Sequence, residues 1–197
     1  MSLAVVLLAA GASRRFDAIK QLAEVNGEYL INRQLKRYIQ LGVPIYLVLG
    51  AHRDQILSHI DRELIADIEL IINQNWQEGI GHSIAMATSE ISQLSDYEHL
   101  MICLLDQARI SVLELHNLIK QSADNADLIT CSQYDGETGV PAIFPKHSFG
   151  SLKQLKGDQG AKQLIHKTQR KQMVAMPSAA YDLDTPQQLD ELRKSLC

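Results

Sequence analysis

The fold is decided by a stretch near the start of the chain, which reads Val5-Val6-Leu7-Leu8-Ala9-Ala10-Gly11-Ala12-Ser13-Arg14-Arg15-Phe16-Asp17-Ala18-Ile19-Lys20. Its uninterrupted apolar beginning is typical of a strand buried on both faces of a sheet. The small residues that follow would let a ligand approach the main chain, and Gly11 tolerates backbone angles that are closed to other residues. Two arginines and Lys20 then add positive charge beside exposed amide donors. We therefore predict a polyphosphate-binding loop, with an ordinary strand-to-helix turn as the alternative.

Length and composition limit the classes of protein to consider. A chain of 197 residues with 46% hydrophobic and 21% charged residues is typical of one globular domain, which we expect to span residues 1–197. The net charge of -4 argues against broad binding of nucleic acid or of a membrane surface. No apolar run approaches the roughly 18 residues of a membrane span, and no export signal is recognisable. With three scattered cysteines, these features predict a cytoplasmic protein.

Apolar runs and helical patterns alternate through the first half of the chain. Strands are expected at 45–50, 68–72 and 100–105, with helices between them. Such a β-α-β order folds into a mainly parallel sheet covered by helices, a three-layer α/β arrangement. In these sheets ligands gather at the carboxyl ends of the strands, where the opening loop also lies.

The second half is less regular. Residues 126–132 and 173–175 are predicted strands, and Thr185-Pro186 is a strong start signal for a terminal helix. Residues 138–145 form a short apolar segment with prolines near both ends. Because proline cannot donate to a ladder, this segment is expected to be an edge strand or an irregular element.

Two aspartates are candidates for metal binding. Asp106 follows the predicted strand at 100–105, so its carboxylate would stand at the same sheet edge as the basic loop and could hold a divalent cation against phosphate oxygens. Asp184 shares one face of an extended segment with Asp182 and could be a second metal carboxylate. The alternatives are structural, with Asp106 capping the following turn and Asp184 belonging to the cap of the terminal helix.

The loop after the predicted strand at 68–72 is a second candidate for ligand binding. It contains Asn75 and two glycines, and Ser83 stands near the predicted helix start, where free amides could bind an anion or hydrogen-bond a nucleobase. A helix cap without a ligand is the alternative. His82 is the one histidine whose position suggests contact with a ligand. The other six histidines lack the spacing of metal ligands.

Taken together, the motifs resemble those of a known family. The stretch from Leu8 to Phe16, followed by Lys20, resembles the signature loop of the MobA-like nucleotidyltransferases, and within them it is most similar to the molybdenum cofactor cytidylyltransferases. Four further stretches resemble that group's other motifs in the same order, at 75–84, 139–141, 157–161 and 182–186. The resemblance implies a Rossmann-like, glycosyltransferase-A-like fold. Its mixed, mainly parallel sheet would be flanked by helices, with the nucleotide over the ends of the amino-terminal strands.

The resemblance also implies roles for individual residues. Arg15, Lys20 and Asp106 would be catalytic, and Asp106 and Asp184 would hold Mg²⁺. Nucleotide binding would fall to Leu8, Ala9, Ala10, Gly11, Ala12, Ser13, Arg15, Lys20, Asn75, Gly81, His82 and Ser83. The double alanine of the loop is the form associated with CTP in this family. The implied acceptor is the terminal phosphate of molybdopterin, and the products are a dinucleotide cofactor and pyrophosphate.

Three positions depart from the family pattern. Asp17 replaces a usual glycine beside the expected triphosphate, Leu105 replaces the glycine before the metal aspartate, and Ala108-Arg109 replaces a proline. Leu105 could turn into the core, or it could crowd the ribose or the acceptor. Two alternatives therefore stay open. One is a nucleotide- or pterin-binding accessory protein without turnover that helps load a molybdenum enzyme, and the other is a nucleotidyltransferase acting on a sugar or alcohol phosphate.

Overall fold

The computed structural model describes residues 2–13, 15, 16 and 18–195, so Arg14, Asp17 and Cys197 lie outside the described residues. The described strands are β1 (Leu3–Leu8), β2 (Glu24–Val25), β3 (Glu28–Tyr29), β4 (Ile45–Leu49), β5 (Glu69–Ile72), β6 (His99–Leu104), β7 (Ile129–Tyr134), β8 (Glu137–Pro145) and β9 (Lys171–Ala175). The α-helices are α1 (Leu30–Ile39), α2 (Arg53–Ser58), α3 (Arg62–Ile65), α4 (Ile80–Leu94), α5 (Val112–Asp124), α6 (Phe149–Leu152), α7 (Ala161–Lys167) and α8 (Pro186–Ser195). None of these helices is long and apolar enough to cross a membrane.

Seven of the strands form one mixed sheet in the order β5-β4-β1-β6-β8-β7-β9. β1 pairs in parallel with both β4 and β6, and β4 pairs in parallel with β5. β8 runs antiparallel to its two neighbours, and β9 is parallel to β7. The prediction of a mixed, mainly parallel sheet flanked by helices is confirmed. The carboxyl ends of β5, β4, β1 and β6 meet at one edge of this sheet.

The sheet separates two hydrophobic cores, and β1 contributes to both. Val5 and Leu7 lie in one core with α1, α5 and α8, whereas Val6 and Leu8 lie in the other with α4, α6 and α7. Because successive side chains of a strand point to opposite faces, both faces of β1 are covered. This explains why the run contains no polar residue.

β8 is more central than the sequence predicted. It lies between β6 and β7, and residues 138–145 are buried, so the expectation of an edge strand was wrong, whereas the alternative of an irregular element is confirmed by a bulge. The pairing of β8 with β7 jumps from Ala142 to Gly139. Val140 and Pro141 therefore lie in a bulge with no ladder partner, and the missing N–H of the proline costs no hydrogen bond there.

Two cysteines lie within the described part of the chain. Cys103 and Cys131 are buried free thiols, and each belongs to a hydrophobic core. Burial raises the pKa of the Cys103 thiol to about 12 and that of Cys131 to about 11. Both thiols are therefore protonated near neutral pH and pack as small hydrophobic groups.

Candidate active site

A cleft of about 500 Å³ opens at the sheet edge where β1 and β6 end. Residues from both ends of the chain contribute to its walls. Of the residues predicted to bind nucleotide or metal, those that line it are Leu8, Ala10, Gly11, Ala12, Ser13, Arg15, Lys20, Ser83, Asp106 and Asp184. The structure thus brings the basic loop and both candidate metal carboxylates into one cavity.

Lys20 lies between the two aspartates. Its Nζ is 2.6 Å from Asp106 Oδ2 and 3.1 Å from Asp184 Oδ1. Arg15 reaches the other oxygen of Asp184, with 2.9 Å between Nη2 and Oδ2. The Lys20 side chain is 13% exposed and that of Arg15 is 78% exposed. The lysine is therefore held in the cleft wall, whereas the arginine pairs with Asp184 at the solvent-exposed rim.

A backbone hydrogen bond holds the segments of the two aspartates together, and local hydrogen bonds fix the backbone at Asp184. Asp106 follows β6, and its carbonyl oxygen accepts from the Leu183 N–H at 2.9 Å. At the start of α8, Gln188 Oε1 accepts from the Asp184 N–H at 2.8 Å, and Thr185 Oγ1 accepts from the Gln188 N–H at 3.3 Å. The predicted start signal of the helix is confirmed. Asp184 thus lies at a helix cap, as the structural alternative proposed, and its carboxylate also lines the cleft.

A third carboxylate stands beside this pair. The pKa of Asp182 is raised to about 6, first because the surrounding protein desolvates its carboxyl and then because Asp106 and Asp184 repel a further negative charge. Asp182 keeps contact with solvent and does not line the cleft. Lys20 and Lys162 act in the opposite direction and lower the pKa of Asp182, but desolvation and the two carboxylates prevail.

The acidic pair fits a divalent cation. Asp106 Oδ1 is buried and has no hydrogen-bond partner among the described residues. Because buried carboxylate oxygens are normally paired, this atom has unused capacity for a cation. No group of three or more His, Cys, Asp or Glu side chains in the described chain is arranged to hold a metal alone. Two carboxylates beside the predicted phosphate loop would suit Mg²⁺, which usually completes its shell with water and substrate oxygens.

Two glycines at the start of α4 are explained by a close contact with residues 156–159. Gly79 has a φ of +93°, and a Cβ there would lie 2.4 Å from the Gly157 backbone. A Cβ on Gly81 would lie 2.7 Å from the Gln159 carbonyl oxygen. The glycines thus allow two backbones to touch. This contact places Asp158 on the cleft wall, where the sequence analysis did not expect it. Its position between the glycines of the 157–161 motif was the only sequence signal.

Four predicted nucleotide-binding residues do not line the cleft. The Ala9 side chain packs in a hydrophobic core, and Gly81 is buried against the 156–159 loop. Asn75 is exposed outside the cleft. His82 lines a separate groove along α4, with its Nε2 3.7 Å from Glu78 Oε2. Asn75 and His82 are therefore not placed to touch a ligand in the cleft, and for residues 81 and 82 the reason is that α4 begins at Ile80 and turns them away from it. Ala9 was expected to act through its backbone, which the position of its side chain does not test.

Gln21 is a buried residue of the site that sequence reasoning missed. Its Nε2 donates to the carbonyl oxygens of Ala9, at 2.8 Å, and Gly11, at 3.1 Å. The side chain therefore fixes two carbonyl groups of the predicted phosphate loop by hydrogen bonds and does not itself line the cleft. An amide residue directly after Lys20 was the only signal in the sequence, and no spacing or periodicity distinguished it.

Leu105 and Ala108, which depart from the family pattern, lie in the protein core, whereas the neighbouring Arg109 is exposed and its Cζ lies 3.7 Å from the centroid of the Tyr181 ring. Leu105 is 3% exposed and Ala108 is 2% exposed, and neither lines the cleft. Of the two possibilities for Leu105, packing into the core is confirmed. Leu105 therefore does not occupy the part of the cleft next to Asp106. Asp17, the third departure, is outside the described residues.

Comparison with known proteins identifies the family. The profile of the MobA-like NTP transferase domain matches residues 5–173, which is most of the chain. The chain belongs to the MobA-like NTP transferase family. This match confirms the resemblance seen in the sequence motifs and makes the protein a nucleotidyltransferase by family.

Individual relatives and solved structures are similar to this MobA-like NTP transferase over almost its whole length. The purine catabolism protein PucB of Bacillus subtilis strain 168 is 26% identical over 200 residues, covering 97% of this chain and 96% of PucB. Rv0371c of Mycobacterium tuberculosis H37Rv superposes with a TM-score of 0.83 at 22% identity and 98% coverage of each chain, and it has also been solved with manganese. Molybdopterin-guanine dinucleotide biosynthesis protein A of Archaeoglobus fulgidus superposes with a TM-score of 0.68 at 16% identity, again with 98% coverage of each.

Proposed function

We propose that this chain is a Mg²⁺-dependent nucleotidyltransferase that moves CMP from CTP to the terminal phosphate of a molybdopterin-type acceptor and releases pyrophosphate. The observation that supports this most is the meeting of Lys20 with Asp106 and Asp184 in the cleft beside the β1 loop. Cationic groups for phosphate and acidic ligands for a metal share one cavity. Such a cavity suits a nucleoside triphosphate that binds together with a divalent cation.

The reaction needs positioning and charge neutralisation more than a strong base. An oxygen of the acceptor phosphate, already ionised near neutral pH, attacks the α-phosphorus of the nucleotide. The bond from the α-phosphorus to the oxygen that bridges to the β-phosphate breaks, and pyrophosphate leaves with the negative charge. Lys20 and Arg15 hold the triphosphate and neutralise the charge on the leaving group. Because Lys20 is mostly buried, its charge acts in a medium that screens it less than water does.

Asp106 and Asp184 are the residues that would hold Mg²⁺, and the unpartnered Asp106 Oδ1 is the first candidate ligand. When bound, the ion supplies Lewis-acid stabilisation of the phosphate oxygens. The same two carboxylates pair with Lys20, which links the metal ligands to the proposed phosphate-binding cation. Rv0371c, which has the same fold, has been solved with manganese, and we extend the expectation of a divalent cation to this chain.

The choice of CTP depends on the loop sequence Leu8-Ala9-Ala10-Gly11, whose double alanine is the form associated with CTP in this family. The molybdopterin acceptor depends on the same resemblance. A cytoplasmic location, and a molybdenum enzyme that receives the product, belong to the same proposal. The alternative of an accessory protein without turnover loses two of its motivations, because Leu105 and Ala108 lie in the core.

Pyrophosphate release tests the proposal. The protein is incubated with Mg²⁺, with CTP, GTP, UTP or ATP, and with molybdopterin, a sugar 1-phosphate or an alcohol phosphate, and the products are identified by mass spectrometry. We expect release that requires both CTP and molybdopterin, with a product heavier than the acceptor by one cytidylyl group. Release with a different acceptor would replace the molybdopterin assignment. Nucleotide binding without release in any combination would contradict the enzymatic function and favour the accessory protein.

A further inference from the structure

Gln21 is buried beneath the loop at residues 9–13, with 3% of its surface exposed. Its Nε2 donates to the Ala9 carbonyl oxygen at 2.8 Å and to the Gly11 carbonyl oxygen at 3.1 Å. Its Oε1 accepts from the Ser13 hydroxyl at 3.2 Å. A single side chain therefore contacts three residues of this five-residue loop from the side opposite the cleft.

The other backbone groups of the loop show a difference between carbonyl oxygens and N–H groups. The Ala10 carbonyl oxygen accepts from the Ala51 N–H at 3.1 Å, and the Ser13 carbonyl oxygen accepts from the Phe16 N–H at 2.9 Å. By contrast, the N–H groups of residues 10–13 make no hydrogen bond to any residue that the structure describes. The carbonyl oxygens of Ala9, Ala10, Gly11 and Ser13 are thus satisfied by the protein, whereas the N–H groups of residues 10–13 are left for a ligand. A run of free N–H groups, most of whose carbonyls are hydrogen-bonded within the protein, has the polarity of an anion site.

Peptide geometry connects Gln21 to two of these donors. A trans peptide points its C=O and its N–H in opposite directions, and the described cis bond lies elsewhere, at Val140-Pro141. The Ala9 carbonyl shares a peptide with the Ala10 N–H, and the Gly11 carbonyl shares a peptide with the Ala12 N–H. By binding both carbonyls, Gln21 turns both N–H groups to the opposite side. Ala10 and Ala12 line the cleft, whereas Gln21 does not.

We propose that Gln21 is a positioning residue that aims the N–H groups of Ala10 and Ala12 at the phosphates of the bound nucleotide. The identity of that ligand depends on the proposed function, whereas the orientation of the loop depends on the hydrogen bonds of Gln21. Gln21 acts through the loop and does not touch the nucleotide.

The hydrogen bonds of Gln21 also connect the loop to Lys20, through Ser13. The Ser13 hydroxyl, which donates to Gln21, accepts from the backbone N–H of Lys20 at 3.3 Å. Gln21 also follows Lys20 directly in the chain. The donors of the loop and the Lys20 backbone are therefore fixed relative to each other before a ligand arrives. Such preorganisation lowers the cost of binding an anion.

Gln21→Met tests the proposal because methionine fills a similar volume but donates no hydrogen bond. The matched control is Asn32→Leu. Asn32 is also buried, donates to the His59 carbonyl oxygen and to Asp61 Oδ1 at 3.0 and 2.9 Å, and accepts from the Asp61 N–H at 3.2 Å. Each substitution removes two donated bonds and one accepted bond from a buried amide, but only Gln21 contacts the loop.

Binding of CTP and of inorganic triphosphate, each with Mg²⁺, is measured by calorimetry for the three proteins, and melting temperatures are recorded. We expect Gln21→Met to raise the Kd for both ligands at least about tenfold, since hydrogen bonds to charged groups are worth that factor or more. KM for CTP should rise in parallel. Asn32→Leu should lower the melting temperature by a similar amount and leave both Kd values unchanged. Wild-type affinity in Gln21→Met would overturn the proposal.

Crystal structures of the unliganded wild-type and Gln21→Met proteins give an independent readout. At least one of the Ala9-Ala10 and Gly11-Ala12 peptides should turn over in the variant, and two unchanged peptides would overturn the proposal. The ligand panel separates this proposal from the proposed function. If the wild type binds inorganic triphosphate but no nucleotide, and the variant loses triphosphate binding, the role of Gln21 stands and the nucleotidyltransferase function fails. If the wild type binds neither ligand, both are wrong.

Discussion

Leu183 and Asp106 are joined by a backbone hydrogen bond, in which the Leu183 N–H donates to the Asp106 carbonyl oxygen at 2.9 Å. A second link runs from Gln107 Nε2 to the Ala179 carbonyl oxygen, also at 2.9 Å. Together they bind the segment before α8 to the turn after β6. The carboxylates of Asp106 and Asp184 repel each other, so their meeting in the cleft depends on this backbone connection and on Lys20 between them.

Asp106→Asn should abolish Mg²⁺-dependent turnover and leave the fold intact. The amide has the shape of the carboxylate but lacks the charge that a divalent cation needs. We expect pyrophosphate release to fall at least about a hundredfold, which corresponds to the several kcal/mol that a catalytic metal supplies. Asp96→Asn is the control, because Asp96 is an exposed residue that pairs with Lys146 before the start of β6. Undiminished activity in Asp106→Asn would remove Asp106 from the metal site.

Lys20→Met should weaken triphosphate binding and strengthen the binding of Mg²⁺ in the absence of nucleotide. The substitution removes the ammonium that neutralises Asp106 and Asp184. A divalent cation then no longer competes with this ammonium for the two carboxylates. A bound cation stabilises the folded state, so Mg²⁺ should raise the melting temperature of the variant more than that of the wild type. Lys36→Met is the control, because Lys36 also contacts two carboxylates, those of Glu28 and Asp61, but at the surface. Equal responses to Mg²⁺ in wild type and Lys20→Met would contradict a shared site.

The fold should lose stability as Asp182 ionises. Its pKa is about 6 in the folded protein, above the value of about 3.9 for an unfolded aspartate. The folded state therefore binds the proton more tightly, and the free energy of unfolding falls as pH rises from about 4 to above 6. In EDTA, Asp182→Asn should melt at a higher temperature than the wild type near neutral pH and at the same temperature below about pH 4. A difference in melting temperature that does not change with pH would contradict this assignment.

Leu105→Ala tests whether this departure from the family pattern obstructs the site. Leu105 is 3% exposed and packs in the core, so the substitution should lower the free energy of unfolding by about 2–4 kcal/mol. KM for the nucleotide should not change. Leu118→Ala provides the reference, because Leu118 is fully buried in the same core and does not line the cleft. A lower KM in Leu105→Ala would show that the leucine crowds the ligand.

The residues of the site that could be predicted from the sequence are those whose role is indicated by their immediate neighbours in the chain. The buried run of β1, the small residues after it and Lys20 are adjacent in the chain, so their chemistry could be inferred without knowledge of the fold. Asp106 was recognisable because it follows an apolar strand. These residues occupy the positions in the cleft that parallel-sheet topology predicted.

The residues that were missed or misplaced depend on contacts between distant segments. Gln21 matters because its amide lies beneath the loop, and Asp158 because the 156–159 loop packs against Gly79. His82 was placed in the site by its loop, but the helical turn that begins at Ile80 directs it to another groove. No sequence periodicity reports such packing.

The most direct test of the account is a crystal structure with the α,β-methylene analogue of CTP and Mn²⁺, recorded at a wavelength that shows the metal by its anomalous signal. We predict an anomalous peak bonded to oxygens of Asp106 and Asp184, with the triphosphate between that peak and the N–H groups of Ala10 and Ala12. A metal peak away from both aspartates, or a triphosphate outside the cleft, would contradict the central claim that these groups form one nucleotide site.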